Sequence, residues 1–346
     1  MEPTMKQLYY IGVDFHPYQQ TVAYCNTQDG EIKYRQFRHS DKKQLRDFYR
    51  QCQTDSQIGV EATGSLDWFE KMLFEFGLKL RRGNPRLIRR RALSRHKNDY
   101  RDAETILDLL VNQQFPELEP KSPRSQLILQ TLGYRHSLVG KRTSLINQLQ
   151  SFARKKGFPK FSVTSSSAKE RLGAAAENET EELLVNSRLK LIDNLRQEIA
   201  QLEVELKSAV TEDKQVKLLA THSGVGDLTA LALVHTLGDV GRFATKEQVV
   251  AFIGLDPLDH SSGEKHRIGK VSKHGSRVVR FLLGQAANTT RDKRLREFYQ
   301  RVSRRRGTAK AKVATARKLL INCYLMLRDE IAYEEFCRHG EVGLCG

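Results

Sequence analysis

Apolar positions in the first eighty residues come in short runs bounded by turn residues. Leu8-Tyr9-Tyr10-Ile11-Gly12-Val13 is rich in strand formers and ends at Asp14. Thr21-Val22-Ala23-Tyr24 and the run from Ile32 to Phe37 read as two more strands, with turn chemistry from Asn26 to Gly30 between them. Lys42 to Cys52 reads as a helix, and Ile58-Gly59-Val60 as a fourth strand that ends at Glu61. Trp68 to Phe76 is a second helix and Leu78-Lys79-Leu80 a fifth strand. This order predicts three antiparallel strands followed by alternating helix and strand.

The period then becomes helical. Pro116, Pro120 and Pro123 cluster where a first domain would end. A long helix is expected from Ser125 to Lys155, carrying Arg135, Leu138, Arg142, Ile146 and Leu149. Residues 161–180 are rich in Ser, Ala and Glu and read as a mobile linker. Ile192, Leu195, Ile199, Leu202 and Leu206 alternate three and four apart, the spacing of a coiled-coil seam. That seam can pair between chains or fold back on residues 127–152; self-association is the expectation. Leu218 to Asp239 reads as helix, Gly224-Val225-Gly226, helix. Further helices are expected from Phe243 to Phe252, Val278 to Thr290 and Thr308 to Glu330, the last with Leu319, Leu320, Tyr324 and Leu327 in the core. The end, from Arg338, reads as frayed. The resulting division is 1–118, 119–212, 213–335 and a tail at 336–346.

Charge narrows the class. The 346 residues carry a formal net charge of +17 and a pI near 9.7, which points to a polyanion as partner. No apolar run approaches a membrane span and the first residues lack a signal-peptide pattern. Five scattered cysteines without a CxxC argue for a reducing cytoplasm and against structural zinc.

Candidate chemistry centres on Lys97-Asn98-Asp99-Tyr100-Arg101-Asp102. It follows a basic run, Arg81 to Lys97, with eight Lys/Arg and no Asp or Glu. Apolar residues at helical spacing follow, so Asp99 and Asp102 share one face of a first helical turn. One reading is a helix cap, with Asp99 at the N-cap and Asp102 in the reciprocal position. The other joins them to Asp14 and Glu61, each at a strand end. If the first and fourth strands are neighbours, all four carboxylates converge, and clustered carboxylates need a cation. Oxygen-only ligands indicate Mg²⁺ or Mn²⁺.

The ordered set IGVD, VEATG and KNDYRDA resembles the amino-terminal domain of the DEDD transposases of the insertion-sequence-110 family, which also holds the Piv-type DNA invertases. The resemblance implies an RNase H/RuvC-like nuclease fold, and His16-Pro17 departs from it where a lysine is expected. Farther on, Gly254-Leu255-Asp256-Pro257, Ser262-Gly263, the stretch Gly269 to Gly275 and an Arg-bearing helix look like the family's carboxy-terminal transposase domain. The expected class is therefore α/β plus α: a RuvC-like N-terminal domain, a helical and coiled-coil middle, and a mainly α-helical C-terminal transposase domain.

In that family the serine of Ser-Gly is the nucleophile, which maps onto Ser262; a one-residue shift would select Ser261, but Ser262 directly precedes Gly263. A serine hydroxyl needs activation. No local His/Asp pair is dedicated to it, so a metal held by Asp14, Glu61, Asp99 and Asp102 is the expected source, and the two motif sets make one composite site. Arg135, Arg142, Arg267, Lys270, Lys273, Arg277 and Arg280 are expected on nucleic-acid phosphates, each with a solvated basic face as the alternative, and Gly224 and Gly226 let backbone approach a phosphate. The resemblance further implies donor and target DNA, an element-encoded bridge RNA as guide, and a homo-oligomer, dimeric or tetrameric in the synaptic complex. Two readings from other classes stay open: a metal-dependent hydrolytic nuclease such as a junction resolvase, and a non-enzymatic nucleic-acid-binding protein.

Overall fold

The computed structural model describes residues 8–28, 30–62, 66–91, 98–163, 165, 167–259 and 268–343. The chain divides into two compact units, Met1–Pro120 and Lys121–Gly346.

The first unit contains β1 (Tyr9–Phe15), β2 (Gln19–Asn26), β3 (Ile32–Arg38), α1 (Lys42–Arg50), β4 (Gln57–Glu61), α2 (Asp67–Phe74), β5 (Leu80–Gly83), α3 (Pro85–Arg91) and α4 (Asp99–Val111). Its five strands lie in the order β3-β2-β1-β4-β5. The β1–β2 and β2–β3 pairs are antiparallel, β1–β4 and β4–β5 parallel. The first and fourth strands are thus neighbours, which meets the condition set for the carboxylates to converge, in a mixed sheet consistent with an RNase H-like domain.

Alternation along β1 decides what each face carries. Ile11, Val13 and Phe15 pack with Ile58 and Val60 of β4 and with Leu45, Phe48, Phe69 and Leu73 of α1 and α2. The opposite face of β1 bears Tyr10, Gly12 and Asp14, and α4 lies on it. A Cβ on Gly12 would fall 2.1 Å from the Ala103 carbonyl oxygen and 2.5 Å from the Leu107 nitrogen, so only glycine admits the helix this close.

The fifth strand is displaced from its expected place: Leu80–Gly83, not Leu78–Leu80. It takes in Arg81 and Arg82 because it is an edge strand, where charged side chains find partners. Arg81 donates to Glu117 at 2.7 Å and lies over Phe115, and Arg82 pairs with Glu70.

The second unit contains α5 (Pro123–Lys155), α6 (Ala168–Ala174), α7 (Glu179–Glu212), α8 (Lys214–Ala220), α9 (Asp227–Leu237), α10 (Lys246–Ile253), β6 (Pro257–Asp259), β7 (Ile268–Val271), α11 (Arg277–Thr289), α12 (Lys293–Arg306), α13 (Thr308–Asp329) and α14 (Tyr333–Gly343). Its main core joins α8, α9, α10, α11 and α13, with Leu319, Leu320, Tyr324 and Leu327 buried as expected.

The coiled-coil seam closes within one chain. Val185, Ile192, Ile199 and Leu206 are its buried positions, and α7 runs back along α5. Pairs at both ends fix the antiparallel alignment: Arg124 with Glu212 at 2.7 Å, and Lys156 with Glu181 at 2.9 Å. The expected linker at 161–180 is corrected too. Val163, Ala168 and Leu172 are buried, and Val163 and Leu172 pack with Leu149, Ala153, Val185 and Ile192. A few apolar residues hidden among Ser, Ala and Glu suffice to dock α6. The expected fraying from Arg338 gives way to α14, which continues to Gly343. Among the described residues no helix is long and apolar enough to cross a membrane.

Candidate metal centre

Three side chains meet at the end of β1. His16 Nε2 lies 3.0 Å from Asp14 Oδ2 and 3.6 Å from Asp99 Oδ1. One ligand atom from each of the three lies within 4.8 Å of the others. Asp14 comes from the strand, Asp99 from the first turn of α4, and His16 from the turn after β1. The close approach at Gly12 seats α4 on β1, and so brings Asp99 to Asp14.

The helix-cap reading of Asp99 is overturned by its neighbour. Asn98 is the N-cap, its side chain accepting from the Tyr100 N–H at 3.2 Å. Asp99 and Asp102 are therefore first-turn carboxylates, favoured there by the helix dipole.

Electrostatics mark Asp14 as the strained member. Its side chain is only 17% exposed. Burial pushes its pKa from 3.8 up to about 6; His16 opposes this, while Asp102 and Asp99 add to it. A desolvated carboxylate facing two others gains most from a bound cation. The donor set of two carboxylates and an imidazole, all within 4.8 Å, suits a divalent ion.

Glu61 shares the same sheet face. Val13 pairs with Val60, so the next step of the register sets Asp14 beside Glu61 at one strand spacing, about 4.8 Å. The Glu61 side chain, however, turns to Arg89 of α3, which donates to it at 2.8 Å. Of the four predicted carboxylates, Asp14 and Asp99 are thus drawn together, Asp102 is close enough to act on Asp14, and Glu61 is engaged by an arginine. The basic run before the acidic motif is likewise spent partly inside the protein: Arg81, Arg82 and Arg89 hold carboxylates, and Arg91 holds the Gln114 carbonyl.

His16 is the member that sequence reasoning set aside as a departure. It stands two residues after Asp14, but in the turn beyond the strand, where alternation no longer fixes a face.

In the second unit, Ser262, its neighbour Ser261 and Arg267 lie outside the described residues. What is described is the stem on either side. β6 pairs with β7, antiparallel, and Ser272 N–H donates to the Asp256 carbonyl at 2.8 Å. The Ser272 hydroxyl donates to the Asp256 carboxylate. Two glycines interlock beneath. A Cβ on Gly254, at φ +77°, would fall 2.4 Å from the His274 nitrogen, and one on Gly275 would fall 2.2 Å from the Phe252 oxygen. Arg280, expected on phosphate, donates instead to the carbonyls of Ile253, at 3.0 Å, and Gly275, at 2.5 Å.

Of the other expected phosphate contacts, Arg135 is held by Glu203 across the α5–α7 seam. Arg142 is half-buried on α5. Lys270, Lys273 and Arg277 are exposed along β7 and the start of α11. Gly224 N–H donates to His222 Nδ1 at 3.0 Å, and its missing Cβ makes room for Thr290. Gly226 is the N-cap of α9 and has open space where a Cβ would stand.

Two family models match the chain. One, described as a transposase of the DEDD type of IS110, covers residues 11–156. The other, described as the transposase IS116/IS110/IS902 family, covers residues 216–300. The chain is 27% identical to a probable family 20 transposase of Pseudomonas aeruginosa over 252 residues, 71% of this chain and 74% of the relative. It is 28% identical to the transposase for insertion sequence element IS1111A of Coxiella burnetii over 274 residues, 75% and 74% of the two chains. A pilin gene-inverting protein of Moraxella lacunata is 28% identical over 126 residues, 35% of this chain and 39% of the relative.

Proposed function

The chain belongs to the IS116/IS110/IS902 family of transposases, and on that premise we propose that it is the recombinase of an insertion sequence, cutting and rejoining DNA through a covalent 5′-phosphoserine intermediate. The observation that supports the metal half of this reading is the convergence of Asp14, Asp99 and His16 on one point, with Asp14 desolvated. Asp14, Asp99 and Asp102 would hold a divalent ion, Mg²⁺ or Mn²⁺, with Glu61 as a further ligand once released from Arg89. When bound, that ion polarises the scissile phosphodiester and stabilises the charge that develops on its oxygens.

The chain's own groups do the rest. Ser262 Oγ forms a bond to phosphorus while the bond from phosphorus to the 3′ oxygen breaks; the hydroxyl proton leaves the serine and the 3′ oxygen is protonated. In rejoining, a 3′-hydroxyl from the partner strand attacks the phosphoserine and Ser262 is restored. The phosphodiester bond energy is kept in the covalent link, so no nucleotide triphosphate is required. Lys270, Lys273 and Arg277 bind DNA phosphates. A bridge RNA encoded by the element guides the choice of donor and target, and two or more copies of the chain act together. Insertion-sequence transposition is favoured over inversion because the insertion-sequence relative named above matches over most of its length and the inverting one over little.

The test is a denaturing gel of protein with donor DNA, bridge RNA and Mg²⁺. A protein–DNA adduct is expected in the wild type and no adduct in Ser262→Ala. Free strand ends with no adduct at any time would show water to be the nucleophile and the protein to be a hydrolytic nuclease. Full activity after nuclease treatment with no RNA added would remove the guide.

A further inference from the structure

Besides the four carboxylates, one more side chain faces Asp14 and Asp99, and it offers nitrogen. We propose that His16 binds the divalent metal directly through Nε2, beside Asp14 and Asp99, and that this imidazole inclines the site toward Mn²⁺ over Mg²⁺. The inference rests on the metal reading above and adds to it a ligand and a preference.

The spacing is that of neighbours on one ion. Ligands at right angles around a metal at about 2.1 Å stand about 3 Å apart. His16 Nε2 and Asp14 Oδ2 are 3.0 Å apart. Asp99 Oδ1, at 3.6 Å, belongs to a side chain that is 43% exposed, and a small rotation closes the difference. Ion pairing of the ring with both carboxylates gives the same two distances, and the nitrogen-coupling measurement below separates it from coordination.

The turn that carries His16 is fixed. Its backbone N–H donates to the Gln19 carbonyl at 2.9 Å, closing the β1–β2 connection. His39 N–H donates to the Tyr18 carbonyl at 2.8 Å, and the His39 ring sits 3.2 Å from the Pro17 carbonyl. His39 in turn packs between Phe15 and Trp68. The imidazole of His16 is therefore presented from a pinned backbone on the face that bears Asp14, the arrangement needed to hold a ligand in place.

The ligand's chemistry sets the preference. Mg²⁺ is hard, loses water reluctantly and takes oxygen. Mn²⁺ accepts imidazole more readily, and the transition ions beyond it more readily still.

Pulsed electron paramagnetic resonance of the Mn²⁺-loaded full-length protein reads this directly. The wild type is expected to show ¹⁴N coupling from one coordinated imidazole, and His16→Ala and His16→Gln to lack it. Loss of the ligand should weaken Mn²⁺ binding at least about tenfold and Mg²⁺ binding less. His16 is 46% exposed, so both variants should keep the fold, which far-ultraviolet circular dichroism checks. Bound Mn²⁺ without nitrogen coupling in the wild type, or coupling unchanged in the variants, overturns the inference. Asp14→Asn separates the two claims. Mn²⁺ binding indifferent to Asp14→Asn sinks the metal reading itself; binding that needs Asp14 but shows no nitrogen removes only His16.

Discussion

The two units hold their candidate chemistry by the same device and to different ends. In the first, Gly12 lets a helix backbone rest on a strand backbone, and the reactive carboxylates project from those two rigid elements. In the second, Gly254 and Gly275 interlock in the same way, but they secure a two-stranded stem, and Ser262 lies in sequence between its strands, five residues beyond Pro257. Metal ligands tolerate errors of only a few tenths of an ångström, so they belong on packed elements. The difference also shows in charge: Asp14 is buried against its own kind, whereas at the stem Ser272 holds Asp256 and Arg280 holds two carbonyls.

The sharpest way to break the comparison is Asp14→Asn. The metal contribution is worth several kcal/mol, so strand transfer should fall about a thousandfold or more. Because Asp14 is desolvated and faces Asp99 and Asp102, the neutral amide relieves a penalty, and the metal-free variant should melt no lower than the wild type. A large drop in melting temperature together with lost activity would show Asp14 to be structural.

Next in size are the glycines. Gly254→Ala places a methyl against backbone and strains a left-handed residue, and should cost about 3 kcal/mol or more in denaturant unfolding. Gly12→Ala should cost a similar amount, but it should also weaken metal binding, because it lifts α4 and Asp99 away from Asp14. If Gly12→Ala destabilises the protein and leaves metal affinity unchanged, α4 is not what places the ligands.

Much of this was legible beforehand. The succession of strands followed from short apolar runs; the pairing of the first and fourth, on which the meeting of Asp14 and Glu61 depended, stood only as a condition until the sheet supplied it. The glycines at 12, 254 and 275 could be read as letters but not as contacts, since what each touches comes from elsewhere in the chain. The salt bridges were opaque for the same reason. Nothing near Arg135 in sequence announces Glu203, and nothing near Arg280 announces the Ile253 carbonyl, so both arginines read as phosphate ligands. The composition of residues 161–180 hid Leu172 because one buried leucine in twenty residues does not move an average. His16 stands in the turn beyond β1, so alternation did not place it, and it was read only as a departure from the residue expected there.

Proton competition gives the third test, with opposite signs in the two units. Asp14 titrates near 6 when folded against 3.8 ordinarily. In that interval the folded chain holds a proton that the unfolded chain releases, so the stability it contributes is present below about pH 4 and lost as pH rises to about 6. Metal must displace the same proton, so affinity should fall about tenfold per unit below pH 6, and Asp14→Asn should flatten that slope. His222, buried against Tyr333, is held down to about 4 from 6.5. There the unfolded chain binds the proton first, so its contribution is present above pH 6.5 and lost as pH falls to about 4. Calorimetry of the metal-free protein from pH 4 to 7 should therefore show His222→Asn changing the acid side of the profile, while Asp14→Asn acts between 4 and 6 in the other direction.

The smallest expected effect bears on Glu61. Its partner Arg89 is 72% exposed, and exposed ion pairs contribute about 0–1 kcal/mol, so Arg89→Ala should leave stability within about 0.5 kcal/mol of the wild type. Its consequence for the metal should be larger than for the fold. With the guanidinium gone, the Glu61 carboxylate at the end of β4 is released toward the cation. Metal affinity should then rise, by about two- to fivefold if the gain matches the lost pair's share of that energy. Isothermal titration with Mn²⁺ measures this, and Glu61→Gln in the Arg89→Ala background should cancel the gain. Unchanged affinity in Arg89→Ala would mean that Glu61 does not reach the ion, leaving a site of Asp14, Asp99, Asp102 and His16 on β1, its following turn and α4.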